Sequence, residues 1–287
     1  MDELYMLERI GTFLRERPGF ICPGDVKELT DMGLSCGEAY AMLLCEACGV
    51  ECDTEQGQTI WREMTACVRR LPPDEFTRDP YYAHIRLPRA RSGRFHYESL
   101  SYAPCEAVVC GELFRSPSGL ILPRLGFFTE PFFYPALMEG DTLWMSVTPN
   151  EIATMAHPLS RCHGRALTLG LGMGYYACMA AGKADVSSVT VVEKERAVID
   201  LFTAHVLPRI PERDKIHIIH SDAFGFMAAL SPDAPYDHIF SDLWHDAFDG
   251  IPMYRRLKAL EARLPSAVYD YWIEPTMRLY IQAGVGE

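Results

Sequence analysis

Between Ala166 and Ile273 the chain alternates two rhythms, and this alternation constrains the fold more than any other feature of the sequence. Five short apolar runs, Ala166 to Leu169, Ser188 to Val192, Lys215 to Ile219, Asp237 to Phe240 and Ala267 to Ile273, are separated by stretches with helical spacing. The helical stretches run near Met173 to Ala181, Glu195 to Val206, Ala223 to Leu230 and Ile251 to Leu264. Strands that alternate with helices predict a parallel sheet, because parallel neighbours need a crossover and the crossover helices then cover both faces. Right-handed crossovers reduce the topologies to a few. An α/β fold is therefore expected for this half of the chain.

The first run ends in Thr168-Leu-Gly170-Leu-Gly172-Met-Gly174-Tyr-Tyr176, where a buried strand turns into a helix. Each glycine removes a side chain that would keep a ligand off the backbone, and helix N-terminal amides face whatever docks there. Gly172-x-Gly174-x-x-Ala177 also satisfies the loose dinucleotide pattern, so the turn by itself leaves its ligand open. Acidic residues spaced at regular distances downstream narrow the choice. Glu193 ends the second strand, 23 residues after Gly170, where a carboxylate can accept both hydroxyls of a ribose. Asp222 comes after the third strand beside Ala223, and Asp242 ends the fourth. Ligands of open α/β sheets bind at the carboxyl ends of the strands, where all four features fall. The bland alternatives are a bare strand-to-helix turn, solvated strand ends at Glu193 and Asp222, and helix caps at Asp242 and Asp246.

Over roughly Gly164 to Glu274, these residues resemble the class I S-adenosylmethionine-dependent methyltransferases. The resemblance implies a Rossmann-like parallel sheet of order 3-2-1-4-5 that binds S-adenosylmethionine. It implies the methionine part of the cofactor over Gly170, Gly172 and Gly174, the ribose at Glu193, and the adenine amino group at Asp222 beside Ala223. Asp242 is then expected under the sulfonium, at the rim of an acceptor pocket. Thr168 stands where that family often has an acid.

Within that superfamily the chain is similar to the spermidine-synthase-like branch, because a small β region precedes the nucleotide-binding part. That branch transfers an aminopropyl group from a decarboxylated donor to a polyamine and carries a Gly-Gly-Gly-Asp-Gly turn. Here Met173 occupies the place of the Asp, which favours methyl transfer. The two parts are expected to be joined by a linker, Thr148-Pro-Asn-Glu151, followed by strand residues leading to the glycine turn. Glu151 then reads as a linker carboxylate or as a contact to the donor's amine. After Glu274 only 13 residues remain, too few for the further helix and antiparallel hairpin of the family, so the sheet is expected to stop after strand 5. Its open edge would be covered by the β region or, in a homodimer, by a second copy.

Asp242, His245 and Asp246 are the candidates for positioning an acceptor and removing its proton, with Trp244 available to stack on a flat ring. Alignment of donor and nucleophile is the larger effect, up to ~7–11 kcal/mol, against about 3–5 kcal/mol for a general base. A histidine on a loop is otherwise a surface group.

The remainder reads as a helical region over 1–75, a small β-hairpin domain over 76–150, and the Rossmann-like domain over 151–287. The expected helices are Asp2 to Arg15, Asp25 to Asp31, Cys36 to Cys48 and Gln58 to Leu71; the expected strands are Phe95 to Tyr102, Ala107 to Phe114, Leu120 to Phe128, Phe132 to Leu137 and Thr142 to Val147. Cys45, Cys48 and Cys52 invite a zinc site, yet they also fall on one apolar helical stripe, and no metal is expected there. For a catechol-type metal site Asp270 lies inside its strand, a poor match.

A net charge of −12 disfavours nucleic acid and anionic membranes. The 17 uncharged residues from Ala166 to Gly182 contain four glycines and read as a buried turn rather than a membrane span. Ten cysteines in a chain of this length, after an acidic N-terminus, suggest free thiols in the cytoplasm. The expected activity is methyl transfer from S-adenosylmethionine to a small-molecule acceptor. The alternatives are aminopropyl transfer and a sensor or scaffold that retains the nucleotide pocket without turnover.

Overall fold

The computed structural model describes residues 3–284. It opens with four helices, α1 (Tyr5–Glu16), α2 (Pro23–Asp31), α3 (Cys36–Ala47) and α4 (Glu55–Cys67). Asp2, the expected start of the first helix, lies outside the described residues. Ser35 starts α3 by accepting the Glu38 N–H, while the Glu38 carboxylate accepts the Ser35 N–H. The helices bury Met6, Ile10, Leu44 and Met64 in a core shared with Leu122, Leu125 and Phe127. At its centre Tyr40 stacks on Phe127 at 3.9 Å and donates its hydroxyl to the Cys105 carbonyl. Cys45 and Cys48 belong to this core, where burial pushes the Cys48 thiol up to about 11.

Residues 68–71 do not continue the fourth helix. Val68–Arg70 is a strand parallel to Leu125–Phe127. The runs expected as long strands over 107–128 break into two-residue and three-residue strands, since Gly111, Pro117 and Pro123 interrupt them. A regular antiparallel sheet comes next, in which Arg91–Ser92, β1 (Phe95–Tyr102), β2 (Phe132–Glu139) and β3 (Thr142–Ser146) pair in chain order. Gly140, at φ +59°, makes the tight turn between β2 and β3.

The expected linker is a helix instead, α5 (Pro149–Arg161). Pro149 opens it, where a missing N–H costs nothing, and Pro158 falls late in it. Thr154, Met155 and Pro158 are its buried face.

The second half is a mixed α/β unit around a five-stranded parallel sheet. Its strands are β4 (Gly164–Leu169), β5 (Val186–Glu193), β6 (Ile216–His220), β7 (His238–Ser241) and β8 (Val268–Tyr271), in spatial order β6-β5-β4-β7-β8. Helices α6 (Tyr175–Ala181), α7 (Arg196–His205), α8 (Ala223–Ala228) and α9 (Ala247–Leu260) connect successive strands. Ala166, Leu167 and Leu169 of the central strand are wholly buried, as a strand covered on both faces requires. Chain order reverses at β4, so the carboxyl ends of β4, β5 and β7 open a crevice. After β8 comes a further helix, α10 (Glu274–Gln282), beyond the expected end of the fold at strand 5. Glu112 accepts the Thr276 N–H and Leu113 donates its N–H to Thr276 Oγ1, fastening α10 to the β region.

Candidate functional site

The crevice is a cavity of about 440 Å³. Gly170 and Gly172 line it, and both adopt left-handed backbone angles, φ +97° and +50°. A Cβ on Gly170 would run into the Asp242 carbonyl, and one on Gly172 into the Met145 thioether. Glycine is thus required by close approach as well as by conformation. Gly174 plays a different part. Its φ is +78°, but it does not line the cavity, and a Cβ there would strike the Phe202 ring of α7. Thr168 is buried and donates to the Gly170 carbonyl. Met173, at the position of the missing acid, is wholly buried in the core.

Glu193 reaches the cavity from the end of β5. Its Oε2 accepts the Leu171 N–H at 3.0 Å and its Oε1 the Glu195 N–H at 2.8 Å. Asp222, at the start of α8, accepts the Gly225 N–H with Oδ2 at 2.7 Å and lines the cavity beside Ala223. Asp242, from the end of β7, is largely buried. Loss of hydration, then the Glu193 charge, push its carboxyl up to about 7.

The Asp242–Asp246 segment divides. His245 lines the cavity but is half exposed, with Nδ1 3.3 Å from Asp249 Oδ2 and its ring edge-on to Trp144 at 5.0 Å. Asp246, expected to be catalytic, does not line it. Its Oδ1 caps α9 by accepting the Phe248 and Asp249 N–H groups, and Asp249 Oδ1 accepts the Asp246 N–H in return. Asp249 is the carboxylate of this turn that faces the cavity.

Three contributions are not assigned to the site by the sequence alone, or are assigned there only as one of two options. Trp144 and Met145 of β3 line the cavity, and so does Trp272, which follows β8. Glu151, in the first turn of α5, lines it from within. Its Oε2 is buried with no hydrogen-bond partner among the described residues, and so is Trp244 Nε1. Burial, then the nearby Asp242 charge, push the Glu151 carboxyl well up. The cavity therefore gathers five carboxyl groups, Glu151, Glu193, Asp222, Asp242 and Asp249, against Lys194 and His245. Such a lining favours a cationic ligand, and the orphaned Glu151 oxygen calls for a donor. An adenosyl sulfonium with an α-ammonium group fits both demands.

Among the described residues no helix is long and apolar enough to cross a membrane. No group of three or more His, Cys, Asp or Glu side chains among them is arranged to hold a metal ion.

No family model and no curated protein matches the chain. Solved structures similar to it include a conserved hypothetical protein of Streptococcus pyogenes, at 20% identity and TM-score 0.30, covering 37% of this chain and 61% of that one. Precorrin 8W decarboxylase of Methanobacterium thermoautotrophicum matches at 16% identity and TM-score 0.31, over 42% of this chain and 61% of its own. The candidate methyltransferase yhhF of Escherichia coli matches at 16% identity and TM-score 0.29, over 37% and 52%. The chain thus spans between half and two thirds of the length of these structures.

Proposed function

We propose that the protein transfers a methyl group from S-adenosylmethionine to a small-molecule acceptor. One observation carries this reading: the Gly170–Gly172 turn, Glu193, Asp222 with Ala223, and Asp242 meet at one cavity on the carboxyl edge of a parallel sheet. In this reading Glu193 holds the ribose, Asp222 the adenine amino group, and Glu151 accepts from the ammonium group. Gly170 and Gly172 let the ligand lie against the backbone.

The donor supplies a methyl group on a cationic sulfur, activated for in-line displacement. The protein's own part is to align, to exclude water and to take a proton. Trp144, Met145, Trp244 and Trp272 line the same cavity as Asp242 and, in this reading, exclude water around the acceptor. Asp242, with its carboxyl held at about 7, suits proton removal from an acceptor at neutral pH. His245 and Asp249 stand at the mouth, where an acceptor enters.

Calorimetric titration with S-adenosylhomocysteine tests the reading. Stoichiometric heat is expected with the native protein and its loss with Glu193→Ala; no heat from folded native protein overturns it. A second reading, aminopropyl transfer, draws on Glu151, which gives the cavity a carboxyl that Met173 does not. Turnover with the decarboxylated donor and none with the intact one would select it.

A further inference from the structure

A second cavity, of about 830 Å³, lies between the antiparallel sheet and the segment that leads into it, and shares no lining residue with the first. Its electrostatics are the reverse. Arg86, Arg89 and Arg91 line it against a single carboxylate, Glu98, in a chain whose net charge is −12. None of the three guanidinium groups has a hydrogen-bond or ion-pair partner among the described residues. Eight other arginines, by contrast, each pair with a carboxylate. Three unpaired guanidinium groups along one wall repel one another, and an anion relieves that repulsion.

A further polar group is unsatisfied there. His96 lines the cavity, and its Nδ1 is buried with no hydrogen-bond partner among the described residues. A buried ring nitrogen of this kind is satisfied by a ligand hydroxyl or acid oxygen. Aromatic residues also line the cavity, Tyr82, Tyr97 and Tyr134 with Phe133, a residue that is 65% exposed. Cavity volume falls within the ~300–1,000 Å³ typical of small-molecule sites, and planar guanidinium forks match phosphate oxygens in pairs.

We propose that this groove binds a phosphorylated small molecule carrying a flat ring, at a site separate from the adenosyl cavity. The three arginines hold the phosphate and the aromatic wall receives the ring. Two tyrosines of the groove also reach the frame of the first cavity. Tyr81 donates its hydroxyl to the Met173 carbonyl in the glycine turn, and Tyr82 donates to the Val147 carbonyl next to β3.

The test is fluorescence anisotropy of 1-naphthyl phosphate with the full chain, with and without saturating S-adenosylhomocysteine. Saturable binding is expected in both conditions, at least tenfold tighter than that of inorganic phosphate or 1-naphthol as competitors. Arg86→Gln/Arg89→Gln/Arg91→Gln, three exposed positions, should weaken it at least tenfold. A charge-matched control on other surfaces, Lys27→Gln/Arg62→Gln/Arg196→Gln, should leave it within twofold. Displacement by S-adenosylhomocysteine, an equal loss in the control, equal binding of inorganic phosphate, or no saturable binding overturns the proposal. Failure of this proposal leaves the methyl-transfer reading standing, because calorimetry with S-adenosylhomocysteine alone decides that one.

Discussion

Glu193 Oε2 accepts the Leu171 N–H at 3.0 Å, so the residue that closes one strand fixes the glycine turn that closes its neighbour. Its other oxygen accepts the Glu195 N–H at the entry to α7. A carboxylate offers about four acceptor positions, which leaves capacity on the cavity side after both backbone bonds are made. The same side chain therefore shapes the site and is available to a ligand.

Two substitutions separate those roles. Glu193→Ala orphans two N–H groups and should lower stability by about 1–3 kcal/mol. Glu193→Gln keeps one acceptor oxygen and should recover part of that loss. Both remove the charge, so affinity for S-adenosylhomocysteine should fall about ten- to a hundredfold in each, in line with ~1.5–3 kcal/mol for hydrogen bonds to a charged group. Thermal unfolding and calorimetry on the same samples check the two effects.

Asp242 links stability to pH. With its carboxyl held at about 7, the folded state binds this proton more tightly than the unfolded chain does. That contribution is complete below about pH 4 and is lost as pH rises toward 7, amounting to at most about 4 kcal/mol. Asp242→Asn should remove this share of the slope, leaving the variant more stable than the native protein at pH 8. If Asp242 is the base, turnover should drop by about 10²–10⁴-fold in the same variant. Denaturant titrations at pH 5 and pH 8, with a methyl-transfer assay, measure both.

The parallel sheet is legible in the sequence because its strands are buried on both faces and so appear as continuous apolar runs, with polar residues where they emerge. Glu193 and Asp242 stand out for that reason. Helix α5 is not legible, since Pro149 and Pro158 read as breakers although each falls near an end of the helix. Trp144 and Met145 carry no local signal at all. Their place over the glycine turn depends on how the antiparallel sheet packs against the parallel one, which no short-range pattern records. Asp246-Ala-Phe-Asp249 is the opposite case, a reciprocal cap whose spacing is present in the sequence and is outweighed there by its nearness to Asp242.

That cap can be told from a catalytic group. Asp246→Ala should cost about 1 kcal/mol, as loss of an N-terminal cap does. Its effect on the rate of methyl transfer at saturating substrate should be less than twofold. A hundredfold loss of rate with unchanged stability would return Asp246 to the chemistry.

The glycine turn offers a steric test. Gly172→Ala places a β-carbon at φ +50°, which costs roughly 1–2 kcal/mol, and drives it into the Met145 thioether. Adding Met145→Ala should relieve the collision and leave the backbone cost. At Gly170 the obstacle is the Asp242 carbonyl, a backbone atom, so Gly170→Ala should be the more damaging change and no neighbouring truncation should rescue it.

Beneath the site, β7 and β8 are joined by a buried polar chain. His238, fully buried, shares a hydrogen bond between its Nε2 and Asp270 Oδ2 at 2.8 Å, and its Nδ1 lies 3.3 Å from the Tyr176 hydroxyl. Arg161, from the end of α5, donates to the other Asp270 oxygen at 3.1 Å. Asp270→Ala strips both partners of their acceptor, and because His238 has no access to water it should cost about 1–3 kcal/mol, the range for orphaning a buried polar group. Asp270→Asn retains one acceptor oxygen and should cost less. Arg161→Ala should be mildest, since that side chain is 46% exposed and water replaces what it loses. Denaturant unfolding of the three variants should give that order, and an Asp270→Ala protein as stable as the native one would show that the sheet does not depend on this chain.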